Sequence, residues 1–227
     1  MKRLVAVLLA LIVAFALAIG ARARFAAQDA AQSAAKSGAR ATHSAPGALL
    51  EREKEIALAK SAGLPEWTEQ ADIYWLRADG FVKVQSGTNG FSCLVIRERP
   101  GTQHPVCYDP EGTRAIVPRF LEEAKLRAAG RTEEEIIAAS TAAFRSGKYS
   151  APKRAGIGYM LSRENYVWIG SIARWFPPHL MIYAPNLKNA DIGVVMNRMP
   201  LSPMIIDEGT PHAQIVAVVP DNMPVKH

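Results

Sequence analysis

The chain has 227 residues, of which 49% are hydrophobic and 21% charged, with two Cys, 15 Pro and 16 Gly. At roughly 100–200 residues per domain this is one domain with appendages, and the composition excludes a disordered, collagen-like, coiled-coil or disulfide-dense protein. Part of the formal net charge of +6 comes from Lys2, Arg3 and Arg22, in or beside the first hydrophobic run. Without them, 24 basic against 21 acidic residues leave +3, which gives no indication of nucleic-acid binding.

The first 23 residues have the order of parts of a secretory signal peptide. Lys2 and Arg3 precede an unbroken apolar run over residues 4–19, and Ala21-Arg22-Ala23 fits the small-x-small pattern of a cleavage site. The alternative is an uncleaved anchor, although a spanning helix needs about 20 apolar residues. No Cys directly follows the run, which argues against a lipoprotein. We therefore expect an exported protein, periplasmic or extracellular, that meets a membrane only through this segment, if at all.

Residues 24–48 are mostly Ala, Ser, Gln and Gly, with scattered charges and almost no large apolar side chain. Such a segment cannot bury enough apolar surface to offset the cost of ordering its backbone. We therefore predict a flexible, Ala-rich tether over 24–48 and a folded domain over 49–227.

The first half of this domain is predicted to be one helix followed by short strands. The apolar pattern over 49–59 predicts the helix, which Gly63 and Pro65 end. Turn signals at 78–80, 87–90 and 109–112 then separate short apolar runs. The runs predict strands at 71–76, 81–84, 91–97 and 106–108, arranged as an antiparallel meander.

Two helices and a second group of strands are predicted for the rest of the domain. Pro118 suits the first turn of a helix that continues to residue 126, and Thr132 with Glu135 forms a capping box that begins the next helix. Apolar runs at 158–162, 166–169, 179–183 and 214–219 predict further strands. The fold class is therefore predicted to be α+β, a single domain whose mostly antiparallel sheet is covered on one face by two or three helices.

Cys93 and Cys107 are the only cysteines, and each lies in a predicted strand. A hairpin would place them side by side, as disulfide geometry requires, and export would bring them into an oxidising compartment. We therefore predict a disulfide between them, which favours a structural role over a nucleophilic cysteine. No metal site is predicted, because two cysteines at this spacing lack the close pairs of ligands that zinc sites use.

His179 follows two prolines and begins a predicted strand in which it shares one face with Tyr183. If that face lines a cleft, the two side chains can supply acid–base or hydrogen-bonding groups. Glu164 lies between two other predicted strands, and its carboxylate can orient the imidazole. The simpler interpretation is a polar strand end with Tyr183 packed at the edge.

Aromatic side chains surround the two prolines before His179. If Trp175 and Phe176 are exposed, they form a platform for a sugar, a peptide or an envelope partner, whereas Trp168 is predicted to lie in the core. Four other polar residues are interpreted as solvated loop residues: His104, Asp191, Asp207 and Glu208. No Gly-rich phosphate loop, His-Glu-x-x-His, Gly-x-Ser-x-Gly or Ser-x-x-Lys arrangement occurs in the sequence, and no cofactor is predicted.

Three segments of the chain carry a resemblance to other proteins. They are Gly87–Val95, Gly158–Ser162 and Pro178–Tyr183, and they resemble segments of a family of exported bacterial proteins with no established activity. The resemblance extends from about Leu49 onward. It implies export and a bacterial source, and it implies nothing about mechanism.

Three functions are compatible with these observations. The favoured one is a non-enzymatic exported domain that binds a small molecule or a cell-envelope partner through Trp175 and Phe176. The second is a hydrolase-type enzyme that uses His179 with Glu164 or Tyr183, assisted by His104. The third, a thiol enzyme, requires a free cysteine.

Overall fold

The computed structural model describes residues 48–194 and 203–219. The predicted signal peptide and nearly all of the predicted tether lie outside these residues. The described residues form one α+β unit around a mostly antiparallel eight-stranded sheet, which confirms the predicted fold class. No helix in this described part of the chain is both long enough and apolar enough to cross a membrane.

Two short helices precede the first four strands. The elements are α1 (Arg52–Lys60), α2 (Pro65–Thr68), β1 (Asp72–Arg77), β2 (Gly80–Gln85), β3 (Ser92–Ile96) and β4 (His104–Tyr108). The turn between β1 and β2 contains Asp79-Gly80, where Gly80 has a φ of 115°. Because only glycine adopts such a conformation without strain, this local signal was sufficient to predict the hairpin.

Three helices follow β4, namely α3 (Pro110–Ala115), α4 (Val117–Ala128) and α5 (Glu133–Arg145). The predicted capping box begins α5, since the Thr132 hydroxyl accepts a hydrogen bond from the Glu135 amide and the Glu135 carboxylate accepts one from the Thr132 amide. The prediction of a plain turn at 109–112 is wrong. Asp109 caps α3 by accepting from the Gly112 amide at 2.9 Å, and Pro110 occupies a first-turn position that favours a helix.

Six strands and a short 3₁₀ helix complete the fold. They are β5 (Ile157–Met160), β6 (Tyr166–Ile169), β7 (Ile172–Trp175), β8 (His179–Tyr183), the 3₁₀ helix (Asn189–Ile192), β9 (Met204–Ile206) and β10 (Gln214–Val218). The large sheet has the order β2-β1-β3-β4-β5-β8-β10-β9, while β6 and β7 form a separate hairpin. The two strands that the sequence did not predict, β7 and β9, are short, with four and three residues.

The meander predicted for β1 to β4 is wrong in one connection, because β3 runs parallel to β1. After β2 the chain crosses the beginning of β1, where the Thr88 amide donates to the Gln70 carbonyl oxygen at 2.8 Å. Gly87 lies so close to this backbone that a Cβ would clash with Gln70 and Ala71. The crossing returns the chain to the starting end of β1, so β3 begins beside it in the same direction.

Helices lie on both faces of the sheet, so the predicted covering of a single face is not confirmed. On one face, Ala59 of α1 packs against Val95. On the other, Phe120 of α4 packs against Leu94 and Ile96. Because side chains alternate along a strand, β3 contributes to both cores and all five of its residues are buried.

Cys93 and Cys107 form a disulfide, as predicted, with their Cα atoms 4.0 Å apart. They are direct partners in the antiparallel β3–β4 pair. Both side chains face α1 and are inaccessible to solvent. The bond is of the kind that persists in an oxidising environment, and neither cysteine is free for nucleophilic catalysis.

Candidate functional site

A cavity of about 860 Å³ lies on the face of the sheet opposite α1. Apolar side chains from six strands line it: Ile96, Val106, Met160, Met181, Ile206 and Val216. Helix α4 and the β6–β7 hairpin contribute further lining residues. A volume of this size and an apolar lining are typical of sites that bind small molecules.

The β6–β7 hairpin covers part of the cavity with aromatic side chains. Trp168, Trp175 and Phe176 all contribute to the lining. Trp175 is 47% exposed, and its indole nitrogen donates to the Arg163 carbonyl oxygen at 2.9 Å. Phe176 is buried in the core and contacts the His179 ring edge-to-face, with 4.9 Å between centroids. The structure therefore brings the two predicted platform residues to one cavity, although only Trp175 is exposed.

Trp168 lies on the hairpin and is half-buried rather than fully buried. The Arg99 guanidinium lies 5.4 Å from the centroid of its ring, a cation–π arrangement. The hairpin is joined to the main sheet by paired backbone hydrogen bonds between Gln103 and Tyr166, both of 2.9 Å. The aromatic cover is thus held at its base beside the first residue of β4.

One wall of the cavity carries charged groups. Arg119 of α4 is 6% exposed, and its Nη1 lies 2.7 Å from Asp207 Oδ2. Its Nε lies 3.5 Å from Glu123 Oε1, which also accepts a hydrogen bond from the Ser140 hydroxyl of α5 at 2.7 Å. Asp207 therefore forms an ion pair, and its interpretation as a merely solvated loop residue is wrong.

Glu98 is the second acidic residue that lines the cavity. It follows the end of β3, and it is partly buried. Burial raises the pKa of its carboxyl above the ordinary value, while the guanidinium groups of Arg119 and Arg127 act in the opposite direction. The carboxyl therefore favours its neutral form more than an ordinary glutamate does.

The cavity brings His179 and His104 into the same lining. His179 is 3% exposed and its Nδ1 lies 2.8 Å from the Pro177 carbonyl oxygen. Burial lowers the pKa of each imidazole to about 4. The interpretation of His104 as a solvated loop residue is wrong, because it begins β4 and its Nε2 is buried. Both imidazoles are therefore neutral at neutral pH.

The other two residues of the hydrolase hypothesis lie elsewhere. Tyr183 shares the predicted face with His179. However, its hydroxyl donates a hydrogen bond to Asp109 Oδ1 at 2.9 Å. Glu164 lies in the loop before β6, and its carbonyl oxygen accepts from the Gln103 side chain at 3.2 Å. Neither residue lines the cavity.

Replacement of Tyr183 by phenylalanine is expected to cost about 1.5–3 kcal/mol of stability, because it removes one hydrogen bond to a carboxylate without creating a cavity. Asp109 retains its bonds from the Gly112 and Ile157 amides. Urea denaturation measures the loss. Binding in the cavity should be unchanged, and a variant that loses binding while remaining folded would contradict a structural role for Tyr183.

The lining has few groups that can take part in covalent chemistry. Of the described residues that line the cavity, none is Ser, Thr, Cys or Lys. No cluster of three or more potential metal ligands occurs in residues 48–194 and 203–219. The arrangement is suited to holding an apolar molecule beside a small number of polar groups.

Three residues of the charged wall were not identified from the sequence. Glu98 and Arg119 line the cavity, and Glu123 lies against Arg119. A weak signal existed for two of them, since Arg119 and Glu123 are four residues apart on a helix, a spacing that lets side chains pair. Nothing near Glu98 in the sequence indicates its position. It reaches the cavity only because β3 ends beside α4.

The chain matches no protein-family model, no curated protein and no solved structure. The resemblance to a family of exported bacterial proteins therefore stays a prediction.

Proposed function

We propose that the protein is a non-enzymatic, exported bacterial protein that binds an apolar small molecule in the cavity beneath the β6–β7 hairpin. The observation that carries the proposal is the cavity of about 860 Å³, whose lining is mostly aliphatic, methionine and aromatic. Side chains of this kind remove apolar ligand surface from water, which is the main source of affinity for such ligands. Trp175 and Phe176 contribute to binding as part of the cover.

Two observations support an exported location. The Cys93–Cys107 disulfide is buried within the sheet, and such bonds are rare in compartments kept reducing. The N-terminal residues have the pattern of a signal peptide. A periplasmic or extracellular protein of this kind would carry or capture its ligand outside the cytoplasm.

The hydrolase alternative has less support. Of the residues in this hypothesis, only His179 and His104 line the cavity. The Tyr183 hydroxyl donates a hydrogen bond to Asp109. A thiol enzyme has less support still, since both cysteines are in the disulfide.

Filling part of the cavity should weaken binding. Ile206 lines the cavity from β9, the edge strand of the sheet, so we expect Ile206→Trp to weaken binding of the fluorescent probe N-phenylnaphthylamine by about tenfold or more, through loss of space and contact area. The measurement is a titration that follows probe emission, with the probe excited in its own absorption band.

The matched control is Val82→Trp on β2, the opposite edge strand, where the native side chain is 38% exposed and outside the cavity. Probe affinity should be unchanged in this variant. Thermal unfolding confirms that both variants fold. Equal affinities for the two folded variants, or no binding to the unsubstituted chain, would overturn the proposal.

A further inference from the structure

The charged residues that line the cavity are two acids and one base. Asp207 is paired with Arg119 at 2.7 Å. Glu98 has no ion pair within 4.0 Å among the described residues, and the only hydrogen bond that it forms in this part of the chain is through its backbone amide, to the Thr102 hydroxyl at 3.1 Å. Within the part of the chain that the structure describes, the cavity therefore contains one carboxyl group without an ion-pair partner, beside the Asp207–Arg119 pair.

The His179 imidazole uses its N–H group within the protein, so it offers a ligand an acceptor rather than a donor. A neutral imidazole has one N–H group, and in His179 it is on Nδ1, which donates to the Pro177 carbonyl oxygen. The second nitrogen of the His179 ring, Nε2, is therefore an acceptor. The buried Nε2 of His104 has no hydrogen-bond partner among the described residues.

The charged and polar groups of the lining favour some ligand head groups over others. A carboxylate would add negative charge to a site with two acids and one base, and it would have to compete with Asp207 for Arg119. A hydroxyl can hydrogen-bond to the Glu98 carboxyl but supplies no positive charge to it. An ammonium group carries three N–H donors and one positive charge, which match a carboxyl group without an ion pair.

We propose that the cavity selects apolar amines, and that the Glu98 carboxylate is the counter-ion of the ligand's ammonium group. The inference rests on the proposed function, because it names the class of ligand for the same cavity. The amine's hydrocarbon part contacts the apolar lining, and its head lies at the wall that contains Glu98, Asp207 and Arg119.

Binding of an amine should be coupled to loss of a proton. Burial raises the pKa of Glu98; Arg119 and Arg127 lower it, and Asp207 and Glu133 raise it. The ligand's positive charge favours the ionised carboxylate, so the proton passes from Glu98 to solvent on binding. Affinity for an amine should therefore rise with pH through the Glu98 pKa of the empty cavity, while affinity for an alcohol of the same chain length should not.

The test uses three ligands with one hydrocarbon chain, decylamine, decanol and decanoate, as competitors of N-phenylnaphthylamine on the full-length chain. We expect decylamine to bind about tenfold more tightly than decanol, and decanoate to bind most weakly. In Glu98→Gln the advantage of decylamine over decanol should disappear, while decanol affinity stays within about twofold. Retained decanol binding also shows that the variant is folded.

The matched control is Glu122→Gln, which removes a partly exposed carboxylate of α4 that pairs with Lys148 outside the cavity. It should leave the preference for decylamine unchanged. A preference for decanoate, equal affinity for the three ligands, or a preference for decylamine that survives in Glu98→Gln would each overturn the head-group inference and leave the cavity as an apolar binding site. Failure of the probe and all three ligands to bind would overturn the proposed function as well.

Discussion

Replacement of Glu55 by alanine is expected to lower the free energy of unfolding by about 3–5 kcal/mol, because it leaves a buried guanidinium without its counter-charge. Glu55 is in α1 and is inaccessible to solvent. Its two carboxylate oxygens accept hydrogen bonds from Arg97 Nη1 and Nη2 at 2.6 and 2.8 Å. The Arg97 side chain is only 5% exposed, so water cannot replace the lost partner. Urea denaturation of the Glu55→Ala variant and of the unsubstituted chain measures the loss.

The control is Glu53→Ala, two residues earlier on the same helix. The Glu53 side chain is 80% exposed and pairs with Arg52 at 2.8 Å, and an exposed pair of this kind contributes about 0–1 kcal/mol. A loss for Glu55→Ala no greater than the loss for Glu53→Ala would contradict a stabilising role for the buried Glu55–Arg97 ion pair.

Reduction of the Cys93–Cys107 disulfide is expected to lower the free energy of unfolding by about 3 kcal/mol, because the bond restricts the unfolded chain. The two cysteines are 14 residues apart in sequence. They lie in paired strands whose other contacts remain after reduction, so the folded state changes little. Urea denaturation with and without reductant measures the difference.

The double variant Cys93→Ala, Cys107→Ala is the control for effects of the reductant itself. Its stability should not depend on reductant. It should also lie below that of the oxidised chain by a similar amount, since both changes remove the same restriction. An oxidised chain whose unfolding is insensitive to reductant, while its thiols are shown to be reduced, would contradict a stabilising role for the bond.

Part of the candidate site could be predicted from the sequence. His179 begins a strand at a residue fixed by two preceding prolines, and the period of two along that strand places it on one face with Tyr183, although the sequence left open whether that face lines a cleft. Trp175 and Phe176 are found beside the same prolines. These residues were identified because each lies in a segment with a strong local pattern, and all three line the cavity.

The charged wall could not be predicted in this way. Glu98 follows β3, Arg119 is in α4 and Asp207 follows β9. The three residues come together only after the strands are ordered in the sheet, and β9 itself was not recognised because it is three residues long. A short edge strand has too few residues to display a period, so neither it nor the acid beside it is evident in the sequence.

By itself, the sequence determined the features that depend on neighbouring residues. The capping box of Thr132 and Glu135, the Asp79-Gly80 turn and the pairing of Cys93 with Cys107 across a hairpin all follow from short-range geometry. Only the tertiary structure decided that β3 lies parallel to β1, that helices cover both faces of the sheet, and that a cavity forms under the β6–β7 hairpin. These features depend on contacts between segments that are far apart in sequence. Local sequence patterns do not show which of these contacts form.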